Sequence, residues 1–184
     1  MLSFSENEQA FKDFITQHQQ RVYNTALNLL QNAEDAEEIT QDVFIEAWNK
    51  AHTFKGEAQV STWLYRITVN KSIDHLRSKK RKKRFAFVQS LFGQENELVH
   101  DPPEFNHPGV RFENKEKAAI LFKAIRQLPE NQQAAFTLHK LEGLSYQEVS
   151  EVMNMSLSSI ESLMHRAKAN LKKSLENYYR QEEG

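Results

Sequence analysis

Ser145-Tyr146-Gln147-Glu148-Val149-Ser150-Glu151-Val152-Met153-Asn154-Met155-Ser156-Leu157-Ser158-Ser159-Ile160 is the stretch on which the fold turns. Ser145 followed three residues later by Glu148 is a capping box, in which hydroxyl and carboxylate each satisfy an amide left open at a helix start. It opens a short helix through Met153. Asn154-Met155 supplies a turn without glycine, because asparagine tolerates the left-handed conformation. Ser156, three residues before Ser159, then caps a longer helix reaching about Tyr178. A short helix, a tight turn and a longer helix make a helix-turn-helix unit.

At 3.6 residues per turn, Ile160, Leu163, Met164, Ala167 and Leu171 share one side of the longer helix. Ser158, Ser162, His165 and Ala169 lie nearly opposite. Ser159 and Arg166 stand on one flank, Glu161 and Lys168 on the other. Short hydroxyl side chains permit close approach to a major groove, and Arg, His and Ser can donate to base edges and phosphates. A solvated polar face on an ordinary amphipathic helix is the competing reading.

Outward from this unit, apolar spacing stays helical and no alternating strand pattern persists. The spacing predicts a helix from Ser5, capped by the Ser5–Glu8 pair, to about Leu30, with Phe11, Phe14, Ile15, Val22, Ala26 and Leu29 facing inward. A second runs from after Asn32 to about Lys50. A loop over His52–Val60 contains Gly56, and a third helix, capped by Ser61, leads into Arg77-Ser78-Lys79-Lys80-Arg81-Lys82-Lys83-Arg84. From Phe85 to Asn114 periodicity fades amid Gly93, Pro102, Pro103, Pro108 and Gly109, which reads as a flexible linker with a short helix near Phe87–Phe92. Helical spacing resumes at Lys115–Leu128, and Pro129 suits the first turn of a helix ending before Gly143. The fold class is all-α, two helical domains joined by that linker.

Two helices carry unusual faces. In Ala33–Trp48, Ala36, Ile39, Val43 and Ala47 make a core stripe, while Glu34, Glu37, Glu38, Gln41 and Asp42 share the other side with Ile45 and Trp48. Large apolar groups embedded in an acidic face suggest a protein docking surface; folding of Trp48 onto the core is the alternative. The helix from Thr62 ends in seven cations among eight positions, more than a helix dipole calls for and suited to a polyanion. Phe54, Trp63 and Tyr65 lie just upstream. Aromatics beside cations suit unpaired bases, although Trp63 could equally be core.

Composition narrows the field. No apolar run among the 184 residues approaches the ~18 needed for a spanning helix. The absence of cysteine excludes disulfides and thiolate zinc sites. The N-terminus lacks the basic and apolar stretches of a signal peptide, so a cytoplasmic location is expected. Net charge is only −1, so the placement of charge carries the information.

Taken together, the segments resemble the extracytoplasmic-function (ECF) group of bacterial sigma factors. Ala33–Phe44 is similar to the family's polymerase-binding helix. Phe54-Lys55-Gly56-Glu57 with Ser61–Asn70, Asp74 and Arg77 is similar to the segment that melts and reads the downstream (−10) promoter element. Leu128–Gln133, Leu144–Val149 and Ser162–Lys168 resemble the reader of the upstream (−35) element. Glu161 and Leu163 depart from the pattern, standing where many relatives carry Arg.

The resemblance implies a non-enzymatic subunit that binds core RNA polymerase and directs promoter-specific transcription initiation in a stress or envelope-signal response. Residues 1–84 would dock and melt, 85–114 link, and 115–184 read the upstream duplex. Docking falls to Glu38, Gln41, Asp42, Phe44, Ile45 and Trp48. Promoter contacts fall to Phe54, Lys55, Gly56, Trp63, Asn70, Lys71, Arg77, Lys79, Lys80, Ser158, Ser159, Ser162, His165, Arg166 and Lys168. The partners implied are core polymerase, duplex and melted promoter DNA, and an anti-sigma factor; no cofactor, metal or membrane insertion is expected. A stand-alone helix-turn-helix regulator is the alternative. A metal-dependent hydrolase using His100, Asp101, Glu104 and His107 is a weaker one, since these residues fall in the linker.

Overall fold

The computed structural model describes residues 7–56, 59–91 and 115–182. All regular elements among them are helical. α1 (Glu8–Leu30) and α2 (Ala33–Lys50) are antiparallel, with Phe11 of α1 meeting Trp48 of α2. Asn7, and not Ser5, caps α1, because its side chain accepts from the amides of Gln9 and Ala10 at 3.0 and 3.2 Å. Gln31 ends the helix at φ +52, its amide donating to the Leu27 carbonyl at 2.8 Å. Asn32 then caps α2 by accepting from the Asp35 amide at 2.8 Å.

A 3-10 turn at Ala51–Thr53 leads to α3 (Val60–Leu91). The helix opens one residue before Ser61, and the Trp63 amide donates to the Gln59 carbonyl at 3.1 Å. Ser61 therefore lies in the first turn rather than at the cap. The early start lets Val60 pack against the core formed by Phe14, Val22, Ala26, Ile39, Val43, Phe44 and Leu64. α3 also runs past Arg84, so the short helix expected near Phe87 is its continuation. No glycine or proline occurs between Ser61 and Phe92 to stop it. The remaining linker expectation, residues 92–114, lies outside the described residues.

The C-terminal half comprises α4 (Lys115–Arg126), α5 (Glu130–Lys140), α6 (Tyr146–Met153) and α7 (Leu157–Glu182). Pro129 stands at the cap position of α5, one place before the helix. The Ser145 capping box is complete, with Ser145 Oγ accepting from the Glu148 amide at 3.2 Å and Glu148 Oε2 accepting from the Ser145 amide at 2.8 Å. Asn154 turns the chain at φ +52, and the Ser159 amide donates to Ser156 Oγ at 3.2 Å. Phe122, Ile125 and Leu128 pack on Ala167 and Leu171, which seats α4 along the later part of α7.

The two helical domains are packed together. Leu29 of α1 and Tyr65, Val69 and Ile73 of α3 share one apolar cluster with Leu138, Val149, Val152, Ile160 and Met164. Buried amides stitch the same contact: Gln133 Nε2 donates to the Leu29 carbonyl at 2.7 Å, and Gln31 Nε2 to the Phe122 carbonyl at 2.9 Å. Leu29 lies in the last turn of α1, where a helix leaves its carbonyls without an intrahelical partner; the Phe122 carbonyl lies one turn before the end of α4.

Candidate functional site

α7 separates two faces as its spacing requires. Ile160, Met164 and Ala167 are at most 1% exposed, and Leu163 and Leu171 are also buried. Ser158, Ser162, His165, Arg166 and Lys168 are exposed. Ser159 is half-buried, with its hydroxyl 2.7 Å from Ser156 Oγ, so part of its bonding capacity belongs to the helix cap. Arg166 Nε donates to the Ser162 carbonyl at 3.2 Å and lies along the helix. Leu163 is core here, packed in the cluster with Ile160 and Met164. Asn131 and Met155 border the same concavity as Ser158, Ser162 and Arg166.

The second surface is a groove of about 580 Å³ between α1 and α2. Phe11 and Ile15 form one wall, Ile45 and Trp48 the other, and Thr40 and Gln41 lie at its edge. Ile45 is 60% exposed and Trp48 38%. The Trp48 ring is tilted against Phe11 at 4.7 Å between centroids, so it is held at the rim rather than folded into the core. Phe44 is buried, edge-on to Phe14 at 6.2 Å, and supports the groove from below. Glu38 and Gln41 are exposed; Asp42 is half-buried. The α1 wall has no signal in the acidic helix itself. Phe11 and Ile15, four apart on α1, read as ordinary core positions.

The third surface follows α3. The Phe54 and Trp63 rings meet at 5.3 Å between centroids with a 53° tilt, both half-buried, beside exposed Lys55 and Gly56. Gly56 has φ +76, a conformation that disfavours any other residue. Asn70 is exposed in a crevice with Asp74 and Arg77, facing Asn131, Met153 and Met155 of the C-terminal half. Several expected DNA-contacting cations already hold partners. Lys71 Nζ lies 3.1 Å from Glu46 and 3.4 Å from Asp42. Burial alone would lower the Lys71 pKa, but these two carboxylates outweigh it and raise it. Lys79 pairs with Asp35, which His75 also approaches at 3.2 Å. Arg77 stands 3.8 Å from Asp74, and Lys80 bonds Glu130 across the domain contact at 2.7 Å. Hydrogen bonding from Lys80 holds the Glu130 carboxyl below the usual range. Arg81, Lys82, Lys83 and Arg84 are exposed, and among the described residues no carboxylate pairs with them. No group of three or more His, Asp or Glu among the described residues could hold a metal; His100, Asp101, Glu104 and His107 lie outside them.

The faces and helix order can be set beside known proteins. Sigma-70 region 2 matches residues 14–82, and Sigma-70 region 4 matches residues 118–171. The chain belongs to the sigma-70 family. Its relatives place it in the ECF group. The sigma-H factor of Pseudomonas aeruginosa is 27% identical over 95% of this chain and 91% of its own length. The ECF sigma-E factor of Escherichia coli is 28% identical over 88% and 84%. Among solved structures, the sigma factor RpoE in complex with the anti-sigma factor NepR from Bartonella quintana shares the fold. It has a TM-score of 0.62 and 21% identity, covering 90% of this chain and 96% of that one. CnrH bound to the cytosolic domain of CnrY matches with a TM-score of 0.63, also at 21% identity, over 94% and 92%. This chain is thus an RNA polymerase sigma factor. Among the described residues no helix is long and apolar enough to cross a membrane.

Proposed function

We propose that residues 1–84 dock on core polymerase and open the downstream element, that 85–114 link, and that 115–184 read the upstream element as duplex. The observation that carries the docking assignment is the α1–α2 groove, where Ile45 and Trp48 stand exposed within an acidic helix face. A regulator that binds duplex DNA by itself has no need of such a groove. The chain acts in the cytoplasm, performs no chemistry of its own, and responds to a stress or envelope signal. An anti-sigma factor holds it inactive, a reading supported by the anti-sigma complex of RpoE among its structural neighbours. The deciding experiment is run-off transcription with and without core polymerase. Promoter-selective transcripts should require both proteins, and nanomolar binding of specific duplex by the chain alone would favour the stand-alone regulator.

Within this scheme the Phe54–Trp63 ring pair, Lys55 and Gly56 form the edge over which a base leaves the duplex. Extrusion costs a few kcal/mol, and Asn70 offsets part of it by hydrogen bonding the freed base. Asn70→Ala is expected to impair open-complex formation more than initial promoter binding, as read by permanganate footprinting. Normal melting by that variant would remove Asn70 from the reader.

On α7, Ser162→Ala or His165→Ala should change which upstream sequences are used, since a direct base contact is worth ~1–3 kcal/mol of discrimination. Arg166→Ala should weaken all promoters alike and reduce the salt slope by about one unit if Arg166 holds a phosphate. A library of upstream elements transcribed by each variant separates these outcomes. Wild-type sequence preference in the Ser162 and His165 variants would mean that another face reads DNA.

A further inference from the structure

We infer that the turn of the helix-turn-helix is an oxidation site, at which a peroxide converts Met155 to its sulfoxide and weakens reading of the upstream element. This rests on the upstream-reading assignment above and adds a regulation of that same surface.

The chain has no cysteine, so reversible sulfur oxidation falls to its four methionines. Met1 lies outside the described residues, and Met164 is 1% exposed within the core. Met153 and Met155 are half-buried and flank Asn154, the residue at φ +52 that turns α6 into α7. Among the described residues, these two are the methionines that solvent reaches.

Both pack on the cluster that holds Val149, Val152 and Ile160. Met155 also borders the concavity of about 510 Å³ that contains Asn131, Ser158, Ser162 and Arg166. Its amide donates to the Ser150 carbonyl at 3.0 Å, which fixes the backbone there. One face of the side chain is therefore core, and the other belongs to the reader surface.

With hydrogen peroxide, the sulfur lone pair attacks one oxygen and the O–O bond breaks. The second oxygen leaves as hydroxide and takes the proton from the sulfur-bound hydroxyl, giving sulfoxide and water. Sulfur has lost two electrons and the peroxide has gained them. The new oxygen is an acceptor that the apolar cluster cannot satisfy. The donors lining the concavity are the Arg166 guanidinium, the Asn131 amide and the serine hydroxyls. A donor that turns to the sulfoxide is lost to a base edge or phosphate. Sulfoxide reductases restore the thioether, so the change is reversible.

The test treats the purified full chain with hydrogen peroxide and removes the oxidant before core polymerase is added. Peptide mass spectrometry should show one oxygen gained at Met155 and none at Met164. Transcription from a promoter that depends on its upstream element should fall about tenfold, the size of one lost base contact. Sulfoxide reductases acting on both epimers should restore it. The ratio of treated to untreated activity should be near unity for Met155→Leu and should fall as in the parent chain for Met153→Leu. Resistance conferred by Met153→Leu and not by Met155→Leu would overturn the assignment. So would oxygen uptake at Met164 before Met155, or a loss that the reductases fail to reverse. If the untreated parent chain transcribed equally well from a scrambled upstream element, the reading assignment itself would fall, so the two failures are distinguishable.

Discussion

Ile160→Ala is expected to destabilise the protein by about 2–5 kcal/mol, the range for truncating a fully buried branched side chain. Ile160 is 0% exposed and sits where Val149 and Val152 of α6 meet Leu29 and Tyr65 of the other domain. The cavity thus opens at the junction of α7 with both domains, and little slack is available to collapse it. For a chain of this size that is a fall in melting midpoint of roughly 4–20 °C. Both tryptophans, Trp48 and Trp63, lie in the N-terminal domain, so their fluorescence reports that domain and far-ultraviolet circular dichroism reports the whole. Both midpoints should fall, because the truncated cluster belongs to both domains. Ser162→Ala, two residues away on the exposed face, should stay within about 0.5 kcal/mol. A circular dichroism midpoint unmoved by Ile160→Ala would show that the two faces of α7 have been assigned the wrong way round.

The helix-turn-helix was readable because every local signal in it agrees. The Ser145–Glu148 box, the left-handed Asn154 and the Ser156 cap depend only on residues three or four apart. The faces of α7 were readable for the same reason, since helical period alone separates Ile160 from Ser162. The caps of α1 and α3 were less legible. Ser5 and Asn7 compete within two residues, as do Gln59 and Ser61, and packing of residues such as Val60 decides between them. The end of α3 was misplaced because loss of apolar periodicity was read as loss of helix. A polar or basic helix without glycine or proline shows no such periodicity and still persists.

The contact between domains had no linear signature. Asn28, Gln31 and Gln133 look like ordinary polar helix residues, and each is buried because its amide meets an acceptor about a hundred positions away. Charge pairing was hidden in the same way. The acidic side of α2 and the basic side of α3 read as two separate surfaces, yet Asp35, Asp42 and Glu46 hold Lys79 and Lys71. Those lysines are therefore less available to DNA than their sequence suggests. The run Arg81–Arg84 is exposed and has no carboxylate partner among the described residues, so it is proposed as the better placed polyanion contact. Its phosphate contribution should appear as a salt dependence rather than as sequence preference.

The double variant Ile45→Asp with Trp48→Ala is expected to reduce affinity for core polymerase by ~100- to 1,000-fold, or about 3–4 kcal/mol. Trp48 supplies the kind of large, rigid anchor that dominates interface energies, and Phe11 already holds its ring at the groove rim, so little ordering remains to be done on binding. Ile45 is the most exposed residue of the wall, and an aspartate there must be desolvated by any partner that fills the groove. Neither position is part of the buried cluster beneath α2, so the helical signal should persist and the thermal midpoint should move little. Glu38→Gln should act differently, since an exposed rim charge contributes more to encounter rate and salt dependence than to the dissociation rate. Surface-immobilised core polymerase with each variant flowed over it gives both rates. Wild-type affinity in a folded double variant would exclude the α1–α2 groove as the docking site. A loss confined to association would place the polymerase contact on the acidic rim and away from the apolar wall.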